Sequence, residues 1–141
     1  MDWLTEPWGL QNLEWAAVPL RIALGVIFID SGLGKWRRGI HGTGDWFQSL
    51  GFPMPQQLAM GVASLELAGG VLLLLGLGTS WVAIPLAANM VVATWVQRTK
   101  LKAPFQGGEV QGYELDVLMA LACVSLIFLG AGPASLDSLI N

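Results

Sequence analysis

The sequence predicts an all-α integral membrane protein, a four-helix transmembrane bundle with short interfacial segments, spanning residues 1–141 as a single domain. Three observations predict it. Hydrophobic residues make up 54% of the chain and charged residues 12%, about half the charged share of a soluble globular domain. Four apolar stretches approach or reach the roughly 20 residues that a helix needs to cross the hydrocarbon core. Lysine and arginine gather in two of the loops between these stretches, and the opposite ends carry acidic side chains instead. Backbone groups in lipid must bond within their own segment, so each stretch reads as a helix rather than a strand.

The first span runs from about 16 to 34, with Trp15 and Trp36 at its ends. The two tryptophans would stand roughly 31 Å apart along a helix, close to the thickness of the apolar core, and read as headgroup anchors. The following "GDWFQSLGFPMPQQ" puts Trp46, Phe47 and Leu50 on one face, as in a helix lying flat at the interface, and "GFPMP" ends it. The Trp3, Leu4 and Trp8 region is expected to lie at the other interface. The second span, 58–77, joins the third, 81–96, through the tight turn "GLGTSW", which forces an antiparallel hairpin. Pro85 predicts a kink or tilt in the third span, which Trp81 and Trp95 bracket. The fourth span covers 115–131. With four crossings the termini share one side, and the basic loops holding Lys35, Arg37, Arg38, Arg98, Lys100 and Lys102 share the other. The positive-inside rule then gives a multi-pass plasma-membrane protein with both termini outside and the basic loops cytoplasmic.

Composition also excludes functions. A net charge of −3 with no long basic run does not fit a nucleic-acid binder. One cysteine, Cys123, allows neither an internal disulfide nor a CxxC redox pair, and it reads as inert packing. His41 lies in a glycine-flanked loop without companion ligands, so no metal site is expected. The acidic "MDWLTEPWGLQNLEW" does not read as a secretory signal.

Helical spacing identifies the chemistry-bearing faces. Arg21, Gly25, Gly32 and Lys35 share one line on the first helix, and Asp30 faces away. Glu66 shares a face with Ala63, Gly70 and Leu73, and the small residues permit close approach of a neighbouring helix. Asn89 joins Ala93 and Val96 on the third helix, and Asp116 joins Ala120 and Cys123 on the fourth. An ionised side chain at the bilayer centre costs at least about 2.5–3.5 kcal/mol, so it has to be paired, neutralised or wetted. The expectation is therefore an intramembrane polar groove, for a ligand or for packing, containing Arg21, Lys35, Glu66, Asn89 and Asp116. Side chains lean towards their helix N-termini, which turns Arg21 and Glu66 away from each other, so a direct bridge needs tilt or water. The segments "LRIALGVIFIDSGLGKW" and "LELAGGVLLLLGLGTSW" align without a gap, matching Arg21 with Glu66 and Gly25 with Gly70. Such antiparallel repeats are a device of transporters.

Arg21, Gly25, Gly32 and Lys35, then "GFPMP", then Glu66, Gly69 and Gly70 with the "LLLLGLG" tail, and finally "GYELD" and "GAGPASLDSL" form an ordered set. That set resembles the DoxX family of small four-span membrane proteins. The resemblance implies a four-helix membrane bundle in a redox-leaning setting, since some relatives are described as subunits of a thiosulfate:quinone oxidoreductase. Without a cysteine pair or a haem-ligand pair, whether the chain is an enzyme stays open, and any enzymatic role is expected to be that of an oxidoreductase subunit rather than a self-sufficient enzyme. The first expectation is a small subunit or accessory partner of a quinone-linked membrane system. No cofactor is evident, and the groove leaves room for a quinone or a lipid. The alternatives are a non-catalytic scaffold or assembly factor and a small transporter. Expected partners are the bilayer and a second membrane protein or further copies of the chain.

Overall fold

The computed structural model describes residues 10–109 and 112–140. The expected interfacial role of Trp3, Leu4 and Trp8 falls outside the described residues. A 3₁₀ segment at Leu10–Ala16 leads into α1 (Ala17–Arg38), α2 (Ile40–Ser49), α3 (Pro55–Leu75), α4 (Thr79–Thr99), α5 (Glu114–Leu129) and the short α6 (Leu136–Ile140). No strand occurs among the described residues.

The four long helices alternate in direction. α1 packs chiefly on α3 and α4 on α5, while α3–α4 and α1–α5 contacts complete the ring. The α1–α3 pair is held close because its interface lacks side chains where the backbones meet. A Cβ on Gly25 would lie 2.9 Å from the Gly70 carbonyl oxygen, and one on Gly32 would lie 2.8 Å from the Ala63 carbonyl. Gly25 and Gly70 are also the matched glycines of the two similar segments, so equivalent positions touch across the pair. Pro85 lies inside α4, a continuous helix of 21 residues. α3 stops at Gly76, whose φ of 69° is strained for a residue with a Cβ. The Leu77 N–H then donates to the Leu72 carbonyl at 3.0 Å, closing the last turn.

Leu24, Phe28, Leu73, Leu86, Cys123 and Leu126 fill the middle of the ring. Its outside is apolar too: Trp81 is 79% exposed and Phe128 85%. A surface of this kind belongs in hydrocarbon. Three segments, Leu13–Arg38, Pro55–Leu75 and Thr79–Thr99, are long and apolar enough to cross a membrane. The expected fourth span is shorter than the sequence suggested. α5 has 16 residues and a length of about 24 Å, short of the roughly 30 Å core. Gly130, at φ 72°, stands where it ends.

Candidate functional site

Glu66 lies eleven residues into α3 and Asn89 ten residues into α4, each helix having 21. Both therefore stand near mid-helix, about 15 Å from either end. Glu66 is 3% exposed, and its carboxylate is satisfied from three sides. Lys35 Nζ donates to Oε2 at 2.6 Å, Ser31 Oγ donates to Oε2 at 2.9 Å, and Asn89 Nδ2 donates to Oε1 at 3.0 Å. Lys35 also donates to Ser31, one turn before it, at 2.9 Å. An ion pair with extra hydrogen bonds removes most of the penalty of a charge held at this depth.

Helix geometry explains the pairing. α1 and α3 are antiparallel, and long side chains lean towards their own N-termini. Lys35, near the end of α1, leans inward along the bundle, and Glu66 leans towards the start of α3, so the two converge. Arg21 and Glu66 lean apart by the same rule, and the structure separates them. Arg21 is buried at the other end of the bundle, where its guanidinium donates to the Leu73 carbonyl at 3.3 Å and to the Ala134 carbonyl. Leu73 is seven residues, or about 10 Å, beyond Glu66 on α3. Arg21 thus lies outside the groove in which the sequence placed it, and it fixes the segment after α5 against α3.

Lys35, Glu66, Asn89 and Asp116 all border one cavity of about 400 Å³. Its floor is polar and its walls are apolar. Trp46, Phe47, Leu50 and Phe52, from α2 and the turn after it, close the basic-loop end; Leu58 and Val62 of α3 and Val92 and Val96 of α4 form the sides. α2 is fastened to α4 by Lys100, whose Nζ donates to the Leu50 carbonyl at 2.6 Å and stands 5.6 Å from the ring centres of both Phe52 and Trp95. Asp116, in the first turn of α5, accepts a 2.6 Å hydrogen bond from Gln97 Nε2.

Four participants escaped the sequence reading. Ser31 and Gln97 carried a usable signal, lying four residues before Lys35 and eight after Asn89 on the same faces. Lys100 and Asp137 carried none, because their partners come from distant segments. Asp137 accepts from the Gly78 N–H at 3.0 Å and the Thr79 N–H at 3.4 Å, capping α4 across 58 residues of chain. Among the described residues no group of three His, Cys, Asp or Glu side chains could hold a metal ion. His41 is exposed, and Cys123 is buried in the core.

Comparison with known proteins finds a membrane-protein family and two relatives. The DoxX family profile matches residues 16–98. A Bacillus subtilis (strain 168) protein named "Putative oxidoreductase CatD" is 35% identical over 130 residues, covering 92% of this chain and 90% of its own. The uncharacterized membrane protein Rv3486 of Mycobacterium tuberculosis is 30% identical over 131 residues, covering 86% of this chain and 79% of its own. No solved structure gives a significant match.

Proposed function

The chain belongs to the DoxX family of small membrane proteins, and from that premise we propose that it is a small subunit or accessory partner of a quinone-linked membrane redox system. In this reading the cavity holds the head of a lipid-soluble quinone. α5, with its flanking residues, makes the fourth crossing of the plasma membrane, both termini lie outside, and the basic loops are cytoplasmic.

The observation that carries the reading is the cavity itself, apolar and aromatic on its walls and polar on its floor at mid-membrane depth. Its volume of about 400 Å³ falls within the roughly 300–1,000 Å³ of small-ligand pockets. The residues present suit a quinone ring. Lys35 offers a donor to a carbonyl oxygen, and Trp46, Phe47 and Phe52 offer faces for a flat ring. A bound quinone would supply electron transfer. The chain's own groups bind it, orient it and keep water from it. Glu66 organises the floor by holding Lys35 and Asn89 in place. The name of the Bacillus relative agrees with a redox setting.

The test is titration of the purified protein in lipid nanodiscs with a short-chain benzoquinone, alongside extraction of co-purified quinone. Saturable binding that Glu66→Gln abolishes, with assembly unchanged by gel filtration, is the expected result. Absence of binding by the native protein refutes the reading. A second reading, a scaffold without catalytic role, is favoured by one observation: the bonds of Glu66 to Lys35, Ser31 and Asn89 tie α1, α3 and α4 together. Under it, Glu66→Gln disperses a larger membrane complex and changes no ligand binding.

A further inference from the structure

The two carboxylates at the cavity are unlike in what they leave free. Both oxygens of Glu66 are taken up by Lys35, Ser31 and Asn89. Asp116 is different. Its Oδ2 accepts from Gln97, and among the described residues no cation stands within ion-pairing distance of it. Its Oδ1 receives no hydrogen bond from the described residues, and it is not one of the sealed polar atoms of the interior. Asp116 borders the cavity, which puts this carboxylate within reach of a ligand held there. The opposite polarity comes from Lys35, which has three donor protons and commits two of them, to Ser31 and Glu66.

We propose that Asp116 is a specificity-determining residue that recognises a hydrogen-bond-donating head group, so that the cavity holds the quinol in preference to the quinone. The inference rests on the quinone-linked reading above and deepens it. An ionised carboxylate only accepts hydrogen bonds, and so does a quinone carbonyl, so the oxidised ring sets one acceptor against another. A quinol hydroxyl donates to Asp116, while the second hydroxyl oxygen accepts from Lys35. No electron or proton leaves the ligand in this step; it is a selection between two redox states by hydrogen bonding. Gln97 acts through Asp116 as a positioning residue, holding the carboxylate with one oxygen free.

The experiment measures the affinities of a short-chain benzoquinone and of its quinol, kept reduced under anaerobic conditions, in nanodiscs containing the full chain. The native protein is expected to bind the quinol more tightly. Asp116→Asn should weaken the quinol by about tenfold or more, the effect of one charge-assisted hydrogen bond, and change the quinone by less than about twofold. Gln97→Ala should reduce the quinol-to-quinone preference in the same direction by a smaller factor. It keeps the test open should Asp116→Asn fail to fold. The exposed Asp30→Asn should change neither affinity. Equal losses for both redox forms, or none, overturn this inference and leave the ligand reading standing. Failure of the native protein to bind either form overturns both.

Discussion

Arg21 and Glu66 are buried charges on adjacent antiparallel helices, 2% and 3% exposed, and they occupy matching positions in two similar segments. Their surroundings have opposite purposes. Arg21 donates to main-chain carbonyls, those of Leu73 and Ala134, and the chain after α5 folds over it. Glu66 meets side chains only, and beside it lies open volume with aromatic walls. A charge spent on backbone oxygens ties elements together. A charge that organises other side chains at the edge of a cavity leaves polar groups facing that cavity. Burial alone does not distinguish these cases; the partners do.

The comparison makes predictions that separate stability from binding. The largest stability effect is expected from Arg21→Met, which strips the donor from two carbonyls, each worth about 1–3 kcal/mol when left unpaired. A loss of about 4 kcal/mol should appear as a lowered melting temperature in detergent, while affinity for the cavity ligand stays unchanged in whatever fraction remains folded. Lys35→Met should cost slightly less, about 3 kcal/mol, the low end for breaking a buried pair, because Lys35 keeps 17% of its side chain exposed. Unlike the Arg21 variant, it should also lose ligand binding in the nanodisc titration.

Much of this arrangement was legible in the sequence. The face that Glu66 shares with Ala63 and Gly70 gives its inward direction and the close approach of a neighbouring helix; that this neighbour is α1, meeting it at Gly25 and Gly32, comes from the structure. A shared inward direction groups Arg21 with Glu66 in the sequence, but facing inward says nothing about level along the bundle. The lean of side chains towards helix N-termini separated them, and the same lean brought Lys35 to Glu66. The roles of Asp137 and Lys100 depend on where distant segments come to rest, which helical periodicity does not encode. Counting apolar residues also overstated the fourth crossing, because Gly130 and Ala131 extend the apolar run past the last turn of α5.

Smaller effects sharpen the contrast. Asp137→Ala removes the cap of α4 at the Arg21 end and should cost about 1 kcal/mol, read by thermal melting, without altering ligand affinity. Lys100→Ala acts at the other end, where it loosens α2 over the cavity. Its stability cost should be only about 0.5–1 kcal/mol, yet ligand dissociation should quicken, as stopped-flow measurement would detect. Reversal of these two readouts, with the cap affecting binding and the α2 fastening affecting only stability, would erase the distinction between the ends.

The most direct measurement is photoaffinity labelling of the membrane-embedded protein with an azidoquinone, followed by peptide mapping of the adducts. Adducts should concentrate on the cavity walls, at Trp46, Phe47, Val62 and Val92, and disappear when excess unlabelled quinol is added. Labelling that gathers around Arg21 and Leu73, or spreads over the outward-facing Trp81 and Phe128 without competition, would contradict the assignment of the Glu66 end as the ligand site.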